Sequence, residues 1–335
     1  MASNKANALQ SANQTVFGTP VTPPTEILSD FSAFSMTPEW TDAETIKTMD
    51  GTFTPATTSR IGYQAASANG EMAAPSYEGI NPVLDSLFGK ATPVVDADMV
   101  KKRTYAAPLN AAPVPQYRTL LWGEMAAGGA TAQMNDASVN SITISGEDAS
   151  APTISVDWLG SKIVSGPALA ALAARTGDVG IIGCHAGDGL YMDDWAAVIG
   201  TTKLLASAYS FQLEISANRE YRGFLGDCSA KASADSNWSG RLNLSVEVNA
   251  TTKPYITAMI GATTSQLQKQ IRILYSVGTG AAKRSLQIDF TGHCITPPEL
   301  FQERRNQNAF DLAFEGVYNP TFGNWLKIVT ESGLA

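Results

Sequence analysis

The chain has 335 residues, 44% of them hydrophobic and only 16% charged. That length and apolar content fit two domains with a sizeable core and exclude a chain disordered throughout. Its 23 basic and 31 acidic residues give a net charge of −8, the wrong sign for a duplex-gripping protein, and so sparse a surface charge implies cover by other subunits.

Residues 1–28 are polar and rich in Asn, Ser, Thr and Pro, and read as a flexible or docking arm. They lack the apolar core of a secretory signal, and no later stretch is long enough to cross a bilayer. Phe34–Trp40 and the segment opened by Gly70-Glu71-Met72 read as strands, and Asn81–Gly89 follows them as a short helix. Residues 92–116 form an extended stretch with Pro93, Pro108, Pro113 and Pro115 around the basic run Lys101-Lys102-Arg103; prolines so spaced argue against a regular helix or central strand. Ser141–Gly146 and Ile154–Gly160 are strands, and residues 165–203 read as a connecting or inserted region.

The second half is plainer. In Ser210–Ser216, Phe211, Leu213 and Ile215 alternate with Gln212, Glu214 and Ser216, the period-two pattern of a half-buried strand. Leu242–Val248, Gln270–Val277, Ser285–Thr291 and Ala309–Glu315 repeat it. Between them, Pro254 near the start and Gly261 at the end bracket a short helix.

The two halves run in one order: strand, strand opened by glycine, helix ending in glycine, then strands closed by glycine. Phe34–Trp40 aligns with Phe211–Ala217, Gly70-Glu71-Met72 with Gly240-Arg241-Leu242, Ser141–Gly146 with Gln287–Gly292, and Ile154–Gly160 with Phe310–Gly316. The charge differs: residues 1–203 hold 11 basic against 20 acidic side chains, residues 204–335 hold 12 against 11.

Chemistry is harder to find. Cys184, Cys228 and Cys294 have neither disulfide nor zinc-ligand spacing and read as small buried residues of a reducing compartment. Cys184-His185 with Asp188, Asp193 and Asp194 lacks the ladder of a calcium loop and reads as a turn with solvated carboxylates. His293 reads as a loop histidine. No nucleophile elbow, phosphate loop or dinucleotide fingerprint appears, so the expectation is no enzyme, no metal and no cofactor.

The segment Asp194-Trp-Ala-Ala-Val-Ile-Gly-Thr-Thr leading into Ser210–Ser216, the pair Ser141–Gly146 and Ile154–Gly160, and the closing run from Asp311 to Val329 resemble the tail tube (major tail) proteins of long-tailed, non-contractile bacteriophages. The likeness covers most of residues 29–335. It implies a mainly β chain of two tandem tail-tube-like β-sandwich or barrel domains, each with a short flanking helix, plus extended arms: an arm at 1–28, domains at 29–164 and 204–335, and residues 165–203 between them. It further implies trimeric rings with pseudo-sixfold symmetry, stacked into a hollow virion tail through which DNA passes. The partners implied are further copies of the chain, a tape measure protein, a tail terminator and a distal tail protein, with no membrane. Within that picture Glu214, Glu247 and Asp289 are expected to face the lumen, where an acidic wall lets DNA slide. Lys101, Lys102 and Arg103 are expected at contacts between rings.

Two rival readings are another virion β-protein, such as a capsid decoration or head-completion component, and a carbohydrate-binding sandwich. The first has no need of two like repeats. The second calls for clustered aromatics, whereas Trp40, Trp122, Trp158, Trp195, Trp238 and Trp325 are scattered.

Overall fold

The computed structural model describes residues 7–42, 61–95, 100–125, 129–147, 150–173, 175–182, 189–204, 207–224, 229–260, 267–294, 302–304 and 307–333. The chain is mainly β, with large antiparallel sheets and two short α-helices among the described residues. The first half contains β1 (Asn7–Asn13), β2 (Glu26–Ile27), β3 (Ala33–Asp42), β4 (Ile61–Met72), α1 (Asn81–Phe88), β5 (Val94–Val95), β6 (Lys101–Ala106), β7 (Arg118–Glu124), β8 (Thr131–Glu147), β9 (Thr153–Gly160) and β10 (Lys162–Ser165). The second contains β11 (Gly189–Asp194), β12 (Ala208–Ser216), β13 (Arg219–Arg222), β14 (Ala232–Asp235), β15 (Ser239–Glu247), α2 (Lys253–Ile260), β16 (Gln268–Val277), β17 (Arg284–Cys294), β18 (Gln302–Arg304), β19 (Gln307–Gly316) and β20 (Leu326–Ser332).

One broad sheet crosses both halves in the order β3-β4-β9-β8-β12-β15-β19. On the far side of β19 lie Gly292–Cys294 of β17 at one end and β18 at the other. Two smaller sheets flank it, β2-β1-β7-β8-β10 and β11-β16-β17-β20-β6-β5. β8 serves two sheets: its first residues pair with β7 and β10, its last with β9 and β12. It turns at Asp136, whose φ of 54° is rare for a residue with a Cβ. The Asp136 carboxylate accepts from Gln14, the Gly18 N–H and Ser161, bonds that hold the bend.

Both halves share one pairing scheme. β1-β7-β8-β10 and β3-β4-β9-β8 of the first correspond to β11-β16-β17-β20 and β12-β15-β19-β17 of the second. α1 follows β4 as α2 follows β15.

This scheme corrects the sequence-derived boundaries. Residues 7–13 of the presumed arm form β1, with Leu9, Gln10, Ser11 and Ala12 buried against β7. Residues 189–194, assigned to a connecting region, are β11, the counterpart of β1. Two alignments shift as well. Leu159 faces Ser67 and Thr37, as Glu315 faces Arg241 and Glu214, so Phe34 does match Phe211 but Gly70 matches Leu244, not Gly240. Ser138 and Val139 face Leu159 and Trp158 as His293 and Cys294 face Glu315 and Phe314, so Gln287–Gly292 matches the part of β8 before Ser138 and not Ser141–Gly146.

Alternation makes the core. In β12, Leu213 and Ile215 are fully buried while Gln212 and Glu214 are exposed. Leu242, Leu244, Val156, Trp158, Leu312 and Phe314 join them in one hydrophobic cluster with Val83, Leu84 and Leu87 of α1. Each such side chain contributes about 1.5–3 kcal/mol by leaving water. α1 begins with proline in its first turn and stops at Gly89, whose φ of 91° suits a residue without a Cβ.

Prolines do not keep residues 92–116 out of the sheets. β5 and β6 lie between Pro93 and Pro108, and β6 pairs with β20 from Lys101↔Ser332 to Ala106↔Lys327. A first-half segment thus completes a second-half sheet.

Asp85, on α1, accepts from the Ala91 N–H at 3.1 Å and the Tyr105 hydroxyl at 2.9 Å. Burial outweighs these bonds and raises its carboxyl above the ordinary value of 3.8. Above that pH the unfolded chain releases a proton that the folded chain still holds, so stability falls as pH rises through the raised value. Asp85→Asn keeps the acceptor oxygen and is expected to flatten this slope in urea unfolding measured across the acidic range. A slope unchanged by the substitution would assign it to another group.

Candidate functional site

The strand pairing builds a continuous polar surface on the solvent face of the broad sheet. Cross-strand register lines up Ser35, Asn69, Asp157 and Ser141, then Ser216 and Ser239, across six strands. The row beside it runs Ser155, Thr143, Glu214, Arg241 and Glu315. Serine and threonine recur along these rows, and the charged residues are unbalanced. Glu39, Glu71, Asp157, Glu147, Glu214, Glu247, Asp311 and Glu315 share the face with Arg241 and Arg304. Two grooves open on it. One, of about 550 Å3, is bordered by Asp157, Glu214, Arg241 and Glu315. The other, of about 470 Å3, is bordered by Glu147, Gln212, Arg304 and Asp311.

Local bonds orient these groups. Ser141 donates to Asp157 at 2.5 Å, Gln212 to Glu214 at 3.1 Å, and Arg241 Nε to Asn243 at 3.2 Å. Arg304 Nη2 stands 3.9 Å from Asp311, and His293 Nε2 stands 3.9 Å from Glu315. Pairs this long and this exposed neutralise little of the face.

Glu214 is exposed at the centre of this surface. Glu247 lies on the same face, half-buried at the strand end, and accepts from the Tyr209 hydroxyl at 3.0 Å. Asp289 is elsewhere. It is 3% exposed on β17 and takes Arg272 Nε at 2.6 Å and Nη2 at 2.9 Å, so it cannot be a lumen-facing carboxylate. The hydrogen bond to Asp289 holds Arg272 protonated beyond its ordinary range. Of the basic run, Arg103 is buried and donates to Ser332 at 3.2 Å, Lys101 is half-buried, and Lys102 alone is exposed.

The hairpin β13–β14 was not foreseen. It reaches from the second half onto the first, where Arg219 contacts the carbonyls of Ser86, Leu87 and Val139, and Tyr221 contacts those of Asp136 and Leu159. Arg219-Glu-Tyr-Arg222 carries no apolar-polar alternation, so its sequence does not mark it as a strand.

Among the described residues no cluster of three or more His, Cys, Asp or Glu could hold a metal ion, and no helix is long and apolar enough to cross a membrane. Cys184, His185, Asp188 and Cys228 lie outside the described residues. Asp193 is buried and accepts the N–H groups of Gly200, Thr201 and Thr202, so it shapes a loop rather than a solvated cluster. No family model matches the chain, and a search of curated proteins finds no relative of it.

Proposed function

We propose that the chain is a structural virion protein whose copies close, three to a ring, into stacked rings that form the tail tube of a long-tailed bacteriophage. The observation that carries this reading is the broad sheet itself: two like halves side by side, one acidic polar face, and an end strand, β3, that pairs with β4 alone among the described residues. An open edge of that length is a liability in a lone subunit, and ring closure removes it. Three copies then supply six like units, and the polar face lines the bore. The excess of carboxylates on that wall repels phosphate, so that passing DNA is not held. Lys102 remains exposed for contact with an adjacent ring.

Replacing Glu214, Asp157 and Glu315 with lysine tests the lining. Assembled variant tubes are expected to retain duplex fragments at about 50 mM salt and to release them by about 200 mM, whereas wild-type tubes retain none. Identical behaviour of the two at low salt would place these side chains away from the bore.

A further inference from the structure

Beside the start of β3 lies an open groove of about 480 Å3, floored by Leu9, Leu28, Phe34 and Trp122. Phe34 and Trp122 pack with ring centroids 5.5 Å apart. In the second half Phe211, which holds the place of Phe34, packs on Tyr275 with ring centroids 6.4 Å apart, but there the groove is occupied. β8 runs antiparallel along β12 from Ser210↔Glu147 to Ser216↔Ser141. Gly146 sits so close that an added Cβ would lie 2.5 Å from both Phe211 and the Tyr275 hydroxyl. The chain therefore contains one finished joint between like halves and one unfinished counterpart.

The finished joint gives the register of the other. Ser145 of β8 faces Thr153 of β9, seven residues before Gly160; Gln302 of β18 faces Ala309 of β19, seven before Gly316. Gln302, Glu303 and Arg304 thus hold the places of Ser145, Gly146 and Glu147. On the other side, Phe34 and Ser35 hold the places of Phe211 and Gln212.

We infer that a second copy of this chain lays its β18 antiparallel against β3, with Ser35 opposite Gln302, Phe34 opposite Glu303 and Ala33 opposite Arg304, and covers the Phe34–Trp122 groove. At Arg304 charge agrees with this placement. Glu71 faces Ala33 on β4, so the incoming guanidinium of Arg304 arrives one strand away from an exposed carboxylate on the same face. The inference rests on the ring reading above and names the partner surface for it.

The test is a cysteine pair, Ser35→Cys with Gln302→Cys, oxidised after assembly and run on a non-reducing gel beside both single variants. Directly opposed residues place their Cβ atoms within reach of a disulfide, so the double variant is expected to give chain-to-chain links ending at three chains, and the single variants none. Trp122→Ala adds a second reading: it is expected to raise the concentration needed for assembly by roughly tenfold or more, the effect of losing a central aromatic contact. Tubes that assemble without the cross-link, or at an unchanged concentration in Trp122→Ala, would overturn this joint and leave the ring reading standing. Folded wild-type protein and folded double variant that both stay monomeric at every concentration would overturn both.

Discussion

Arg219→Ala is expected to lower the unfolding free energy by about 3–5 kcal/mol, the cost of stripping one partner from a buried, hydrogen-bonded ion pair. The Arg219 side chain is fully buried and the Asp235 side chain 3% exposed. Nε and Nη2 reach the two carboxylate oxygens at 2.6 and 3.0 Å, the forked geometry that arginine supplies and lysine does not. Nη1 meets the Val139 carbonyl at 2.6 Å, and the Ser86 and Leu87 carbonyls at the end of α1 lie within 3.3 Å of the guanidinium. Truncation leaves Asp235 with the Trp238 indole N–H at 3.2 Å and strands several carbonyls away from water. Since these bonds tie β13 to the first half, the loss also loosens the contact between halves. Arg219→Lys is expected to recover only part of the stability. Denaturant titration at neutral pH measures both, and a loss below about 1 kcal/mol would show that the hairpin rides on the surface without holding it.

Trp158→Ala is the second large effect, expected at about 3–5 kcal/mol. Trp158 heads the largest side chains with no exposure, in the middle of β9, among the cluster shared by the broad sheet and α1. Its indole Nε1 is buried without a hydrogen-bond partner among the described residues. Trp158→Phe therefore gives up volume but no hydrogen bond, and it removes a polar atom from an apolar site. Its cost is expected to be well under half that of alanine. Equal losses for the two variants in thermal or urea unfolding would mean that the indole nitrogen matters more than the ring.

The strands that were legible in the sequence are those with one wet face. β9, β12, β15 and β19 alternate because one side meets the core and the other meets water, and the same parity puts Glu214 on the exposed face of β12. Where a strand is covered on both sides the signal vanishes. β17 is buried at most positions, so Asp289 looked like a polar-face residue while lying in an ion pair with Arg272. β8 changes sheets midway and shows an unbroken buried run from Gln133 to Val139. β1 was mistaken for an arm because its buried residues include polar ones. Gln10 exchanges hydrogen bonds with the backbone of Ala170 at 2.7 and 3.0 Å, and Ser11 donates to Glu26. Partners so distant in sequence leave no local mark.

Register was the other blind spot. Alternation fixes which face a residue takes but not its position along the strand, so the match of Gly70 to Gly240 slipped by four residues without disturbing either face. The acidic face itself was only partly visible. Glu71, Asp157 and Glu315 join Glu214 through pairings across several strands, and the joint at Gly146 emerges only when β8 and β12 are seen together.

Three copies are proposed to close a ring through the open ends of the broad sheet. Electron microscopy of the concentrated wild-type protein, with mass determination of the smallest closed species, tests it most directly. Hollow tubes whose rings contain three chains in six similar lobes are expected. Rings of six chains, or a protein that remains monomeric at every concentration even beside purified tail-initiation complexes, would contradict it.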